Sequence, residues 1–384
     1  MTDHRRPTTP LRRVALLGVL LGALLTMTVS GSARGVESRT TPIAPAAVAG
    51  DLDAPLVLKG RGSFTVGGDS VVQTPAQLSS FTGQPLAAGG HVTTNQMYVE
   101  YMVPQEETGP PVVMIHGATL TGQSYDTTPD GRMGWYEYFV RRGHPVYLPD
   151  QVSRGRSGFD IATYNQVRAG KQPLNALPNF WRFTDEIAWT QFRFGPSADT
   201  PFPDTQYPVE AAAAFSAQAV PDLNYGLPMP NPNVAATNAL VRRLGGAVLL
   251  GHSQAGLLPV NAMLADPTGI AGLILLEPGG CGTARFTDQQ IATLATVPIL
   301  VEFGDHLDTT TGTGVNWLGA YQDCQAFVAR INTVGGNALM LHPPDWGIYG
   351  NSHMVMQDKN NLQIAATILA WIDRNVPTGG GGRP

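Results

Sequence analysis

Ala247-Val248-Leu249-Leu250-Gly251-His252-Ser253-Gln254-Ala255-Gly256 is the stretch that decides how this chain folds. A short apolar run ends in a serine set among small residues, and a helical pattern follows from Leu257 to Ala265. Apolar runs of this length that stop at glycine read as strands buried on both faces. The stretch is therefore a buried strand, a very tight turn and a helix. A serine at that corner cannot relax into the helix, and the backbone on either side needs room. Gly251 and Ala255, two residues before and two after, supply it, because neither has a side chain beyond Cβ.

The same grammar extends in both directions. Leu56 to Val66 alternates apolar and polar residues and predicts an opening antiparallel strand or hairpin arm, and Met97 to Val103 predicts another strand. Val112-Val113-Met114-Ile115 stops at His116-Gly117 as a buried parallel strand does, a helix follows over Trp135 to Arg142, and Val146 to Asp150 is the next strand. Beyond the opening stretch, Gly272 to Glu277, Pro298 to Gly304 and Ala338 to His342 are short apolar runs. Helical patterns lie at Tyr321 to Thr333 and Asn361 to Arg374. Strands alternating with helices predict a mostly parallel central sheet with helices on both faces, in which chemistry sits at the carboxyl ends of the strands. Residues from about 156 to 240, before the serine strand, break the rhythm. They hold Phe180, Trp181, Phe183, Trp189, Phe192, Phe194, Phe202 and Tyr207 among prolines, and read as a cap-like insertion over the pocket.

Composition narrows the class. The chain has 384 residues, 43% hydrophobic and 14% charged, which suits one large-cored domain with an insertion. Arg5, Arg6, Arg12 and Arg13 precede an apolar run from Val14 to Val29, and Ser30-Gly31-Ser32-Ala33 offers small residues for cleavage. Residues 1–33 therefore read as a secretory signal peptide, with an uncleaved anchor as the rival. Arg12-Arg13 leaves the general and twin-arginine export routes both open. Residues 34–55 read as a flexible lead-in, 56–375 as the folded domain and 376–384 as a disordered Gly-rich tail. Removing the four arginines and one aspartate of residues 1–33 leaves 20 basic and 28 acidic side chains, a net charge of −8, with only three lysines in the chain. Such a surface predicts no nucleic-acid or membrane partner. An exported chain with two cysteines, Cys281 and Cys324, points to a single disulfide.

The chemistry follows from the raised serine. G-x-S-x-A between a strand and a helix is a nucleophile elbow, with Ala255 where glycine is commoner. A serine hydroxyl needs a base within hydrogen-bond reach, and in the order serine, acid, histidine that base comes late. His353, in a flexible loop before the final helix, is preferred to His342 at the end of the last strand and to His306. For the acid, position slightly favours Asp305 or Asp308. Glu277 closes an apolar run, where a carboxylate is costly to bury unless an imidazolium pairs with it. The oxyanion hole needs two backbone N–H groups, and Ala118 and Gln254 are the candidates. Arg154 and Arg156 read as solvated turn arginines. No P-loop, dinucleotide fingerprint or H-E-x-x-H is present, and Asp305-His306-Leu307-Asp308 reads as a loop, so neither a cofactor nor a metal is expected. The expected partner is a small-molecule ester.

From about Leu58 to Asn375 the chain resembles a small family of secreted bacterial serine carboxylesterases of the α/β-hydrolase fold. Its representative is an Alcaligenes esterase with adjacent cysteines beside the oxyanion hole. The resemblance is carried by Thr127-Thr128-Pro129-Asp130-Gly131-Arg132-Met133-Gly134-Trp135, Gly155-Arg156-Ser157, Phe192-Arg193-Phe194-Gly195-Pro196, Glu277-Pro278-Gly279, Phe303-Gly304-Asp305-His306 and Gly350-Asn351-Ser352-His353-Met354 with Gln357-Asp358. It implies Ser253 as nucleophile, His353 as base, Glu277 as acid in place of Asp305, and a Cys281–Cys324 bridge. It also implies hydrolysis of carboxylic esters through an acyl-enzyme, without a cofactor. Where the representative has its cysteine pair this chain has Ala118-Thr119, which keeps a backbone donor but removes any redox or rigidity role of the pair.

Overall fold

In the computed structural model, described over residues 44–79, 82–84, 86–223, 226–309 and 315–377, eight strands form one sheet in the order β1-β2-β4-β3-β5-β6-β7-β8. They are β1 (Leu58–Gln73), β2 (Gly90–Pro104), β3 (Val112–Ile115), β4 (Val146–Asp150), β5 (Ala247–His252), β6 (Ile270–Leu276), β7 (Ile299–Glu302) and β8 (Ala338–Leu341). From β4 to β8 every neighbouring pair is parallel; β1 and β2 add an antiparallel edge. This is the mostly parallel sheet that the alternating pattern predicts, and the α/β-hydrolase architecture that the resemblance implies. The described residues fall within one compact unit, Arg39–Pro384.

The helices are α1 (Pro75–Leu78), α2 (Trp135–Arg141), α3 (Ala162–Arg168), α4 (Asp185–Gln191), α5 (Ala212–Gln218), α6 (Pro232–Leu244), α7 (Leu258–Ala265), α8 (Asp288–Leu294), α9 (Trp317–Thr333) and α10 (Asn361–Asn375). They cover the sheet on both faces, so β5 is buried at all six positions. Val248 and Leu250 point into the core shared with α2 and α10. Ala247 and Leu249 point into the core shared with α6, α7 and α9. Removing both faces from water is what an unbroken apolar strand requires.

Several boundaries differ from the sequence reading. The edge strands run on as a long hairpin, because outer strands that alternate polar and apolar residues have no sharp stop. Helix α9 begins at Trp317, a turn earlier than predicted, where the Asn316 side chain caps it by accepting from Gly319 N. The lead-in is not free along its described length. Ala46 N donates to Thr367 Oγ1 at 3.1 Å, and Arg141 Nη1 donates to Ala54 O at 2.7 Å. Residues 1–33 and most of the Gly-rich tail lie outside the described residues. Among those described, no helix is long and apolar enough to cross a membrane.

The strand order reverses between β3 and β5: the chain leaves β3 for β4 on one side, then returns to β5 on the other. Such a switch opens a crevice beyond the strand ends. The connection from β4 to β5 carries the long excursion and passes over it. Much of its aromatic content packs inward. Phe183 stacks on Phe215 at 5.5 Å, Phe194 on Tyr207 at 3.6 Å, and Phe192 meets Phe183 edge-on at 4.9 Å. Trp181 instead faces the crevice. Helix α6, at the end of the expected insertion, packs against β1, β2 and α7 and so belongs to the sheet layers.

Candidate active site

Strand β5 delivers Ser253 in a left-handed backbone conformation, φ +56°, which an L-residue adopts only under constraint. The constraint is steric. A Cβ on Gly251 would strike the Ala255 carbonyl, and one on Gly256 would lie 2.6 Å from Pro278 Cβ. The small residues around the serine are thus required by close backbone approach, as the sequence implies.

Three side chains, two from the ends of β5 and β6 and one from the loop before α10, meet here. His353 Nε2 lies 2.8 Å from Ser253 Oγ, and His353 Nδ1 lies 3.0 Å from Glu277 Oε2. A carboxylate only accepts, so Nδ1 carries the proton and Nε2 faces the serine as a lone pair. Glu277 follows β6 in a left-handed turn of its own, φ +49°, and its backbone N donates to Glu302 O at 2.9 Å. Glu277 Oε1 accepts from Gly304 N at 2.5 Å and from Arg193 Nη2.

The loop carrying His353 is not the flexible segment expected. Gly350 to Asp358 are all buried. Asp358 accepts from Ser352 N at 2.8 Å, Ser352 Oγ at 2.7 Å and Asn351 Nδ2 at 2.9 Å. His353 N donates to Phe192 O at 2.9 Å, and His353 O faces His252 Nε2 at 2.9 Å. The His353 ring lies on Phe192 at 5.2 Å and beside Trp317 at 4.3 Å. Aromatic walls and hydrogen bonds hold it in place of solvent.

Burial dominates the electrostatics. It holds His353 below the ordinary histidine value, against the hydrogen bond to Glu277, which favours the charged form. Burial pushes the Glu277 carboxyl up, but Arg193 and His353 outweigh it and bring it to about 2. The group is therefore an ionised glutamate beside a neutral imidazole at neutral pH. Glu302, at the end of β7, is fully buried and raised well above the ordinary carboxyl value by burial and by Glu277.

Arg193 and Glu302 escaped the sequence reading as site residues. The first is an arginine inside an aromatic run, and the second is a glutamate inside the apolar run Pro298 to Gly304. Nothing local marks which of the two glutamates meets a histidine.

The other predicted residues have definite places. Asp305 does not reach His353. Its Oδ2 accepts from Gly350 N at 2.9 Å, its Oδ1 from His306 N at 2.7 Å, and its carbonyl from Arg193 Nε at 2.7 Å. Asp308 is exposed. His342 Nδ1 lies 3.0 Å from Phe303 O, and His306 stacks on Phe202 at 3.7 Å with Nε2 2.9 Å from Asp204 Oδ1. Asp204, Asp305 and His306 place ligand-type atoms within 4.8 Å of one another, but both Asp305 oxygens already accept backbone N–H groups. Arg156 pairs with Asp150 at 2.8 Å and is half exposed. Arg154 corrects the reading of a solvated turn: it is buried and pairs with Asp222 at 2.5 Å, because the excursion folds down over it.

Ala118, Ser253 and Gln254 line one cavity of about 500 Å³ with Trp181, Trp317 and Gly279. Gly117 admits no side chain, since a Cβ there would lie 2.8 Å from both His252 Nδ1 and Ser253 Cβ. Cys281 and Cys324 form the disulfide, tying the loop after Glu277 to α9. Asp323 reinforces the join by accepting from Cys281 N at 2.8 Å and Gly282 N at 2.5 Å.

No protein-family model matches the chain. It is similar to a fungal protein (strain ATCC 74256) named "Probable secreted lipase phiG", 30% identical over 331 residues, which span 74% of this chain and 88% of that protein. Among solved structures it is similar to one described as a novel bacterial esterase, at a TM-score of 0.79 and 43% identity over 88% of this chain and 100% of that chain. With its parallel sheet, serine elbow and adjoining histidine and glutamate, the chain belongs to the family of α/β-hydrolase-type esterases and lipases that these two proteins represent.

Proposed function

We propose that the protein is a secreted serine hydrolase that cleaves carboxylic esters through an acyl-enzyme. The observation that carries this reading is the His353 imidazole standing between Ser253 Oγ at 2.8 Å and Glu277 Oε2 at 3.0 Å. Ser253 attacks the acyl carbon as its proton passes to His353 Nε2, and the imidazolium formed is stabilised by the ionised Glu277. The N–H groups of Ala118 and Gln254 receive the developing oxyanion, each contributing about 3 kcal/mol to the transition state. His353 then protonates the leaving alcohol, and water repeats the attack on the acyl-serine. No step calls for a cofactor. The cavity beside Ser253 takes a small ester between Trp181 and Trp317. Export rests on the arginine-led apolar N-terminus and on the relative named as secreted.

A fluorophosphonate probe on purified protein tests the reading, together with a panel of p-nitrophenyl esters of increasing chain length, lactones and amides. Labelling of the protein, its loss in Ser253→Ala, and turnover confined to esters are expected. Absence of labelling, or undiminished turnover by Ser253→Ala, overturns the mechanism; lactone or amide turnover above that of every ester overturns the substrate class.

A further inference from the structure

Beside the crevice lies a second buried polar assembly that the reaction as described does not use. Arg154, in the turn after β4, and Asp222, from the excursion before α6, are an ion pair with both side chains out of water. Buried pairs of this kind bring little net stability by themselves, so their partners matter. Arg154 Nη1 donates to Gly117 O at 3.0 Å, and Arg154 Nη2 donates to Gln254 Oε1 at 3.2 Å. Asp222 Oδ2 accepts from Thr119 N at 3.0 Å and from Gln254 Nε2 at 3.2 Å. The pair therefore grips both candidate oxyanion donors from behind: the residues flanking Ala118 through backbone groups, and Gln254 through its side chain.

Thr119 shows why a grip is needed. It is a β-branched residue at φ +54°, a conformation it does not hold unaided. Its N–H is bound by Asp222, and its carbonyl accepts from Val220 N at 2.8 Å, so both sides of the strained peptide are fixed by one short segment of the excursion. That segment is bridged to Trp181, whose N donates to Asp222 O at 3.2 Å and whose O accepts from Asp222 N at 2.9 Å. Trp181 is a wall of the cavity that holds Ser253.

We infer that Arg154 and Asp222 are positioning residues for the oxyanion hole, holding Ala118 and Gln254 in the geometry that receives the negative oxygen. The excursion is then more than a cover: it supplies the acid that sets the hole. This rests on the serine-esterase reading above, and the test separates the two.

Asp222→Asn, which keeps shape but loses a charge and an acceptor, is compared with Gln254→Met, which leaves the ion pair and the Gln254 N–H in place. Each is assayed for kcat and KM on a p-nitrophenyl ester and for inhibition by two ligands. A trifluoromethyl ketone forms a serine hemiketal whose oxygen occupies the hole; the corresponding alcohol fills the pocket without an oxyanion. A 10- to 100-fold fall in kcat and a matching rise in the ketone Ki, with KM and the alcohol Ki within about threefold of wild type, are expected in Asp222→Asn, and a smaller effect of the same pattern in Gln254→Met. The inference is overturned if ketone and alcohol binding weaken in parallel in both variants, or if Gln254→Met changes neither. A wild-type protein that neither hydrolyses the ester nor binds the ketone overturns the esterase reading and this inference with it.

Discussion

The guanidinium of Arg193 and the carboxylate of Glu277 form an ion pair in which both side chains are wholly buried, and Arg193 holds the carboxyl oxygen that His353 does not use. Arg193 comes from the excursion, Glu277 from a sheet strand. The pairing fixes the carboxylate and also lowers the basicity of His353 through its positive charge.

Removing that charge has a signed consequence. In Arg193→Met the His353 pKa rises, so the acidic limb of the kcat/KM profile moves to higher pH, while Arg193→Lys shifts it less. Glu277, held at about 2 in the fold, contributes stability that is present above its ordinary value of 4.5 and lost as the pH falls toward 2. Without Arg193 the Glu277 carboxyl is held less far below 4.5, so less stability depends on it and the acid loss is complete at a higher pH. At neutral pH the uncompensated carboxylate costs about 3–5 kcal/mol, read from urea unfolding. An unmoved acidic limb would show that Arg193 does not tune the histidine.

Glu277→Gln and Asp305→Asn separate the two carboxylates that the sequence leaves open. Glutamine cannot enforce the Nδ1–H tautomer or stabilise the imidazolium, so kcat falls by about 10³–10⁴. Among the described residues the Asp305 carboxylate accepts only from the backbone N–H groups of His306 and Gly350, so its amide variant loses stability and less than about tenfold in kcat. Steady-state kinetics beside thermal unfolding decides it; the larger kcat loss in Asp305→Asn would reverse the assignment.

Glu302 is a buried acid neither of whose oxygens has a hydrogen-bond partner among the described residues. Its folded pKa is raised, so the native state keeps a proton that the unfolded chain gives up, and stability declines as the pH rises above 4.5. The slope is about 1.4 kcal/mol per pH unit until the folded group itself ionises. Glu302→Gln removes this slope, and the variant gains on wild type as the pH is raised from 5 to 8. Denaturant midpoints across that range measure the gain, and parallel curves would refute it.

The Cys281–Cys324 bridge spans a sequence separation of 43. Constraining a loop of that length in the unfolded chain stabilises by at most about 4 kcal/mol in the chain-entropy model. The double serine variant is expected to lose up to that amount in urea. Because the bridge anchors the loop after Glu277, kcat should fall at temperatures where the protein remains folded. Unchanged unfolding would show that the Asp323 hydrogen bonds suffice to make the join.

The strands and the elbow are written in local rules. Short apolar runs placed β3 to β8, and the small residues about Ser253 placed the elbow, because steric room and two-sided burial are short-range demands. His353 was legible from its place before the final helix. The choice of Glu277 over Asp305 needed the family resemblance, since both follow apolar strands. Their surroundings come from contacts between distant segments. Arg193, Arg154 and Asp222 look like ordinary polar residues in the chain, and whether a charge is solvated or buried depends on which distant segment folds over it. The excursion between β4 and β5 crosses the crevice and brings Arg193 to Glu277 and Asp222 to Arg154 across 84 and 68 residues of sequence. No local pattern encodes such a meeting, because a buried ion pair is stable only when both partners arrive together.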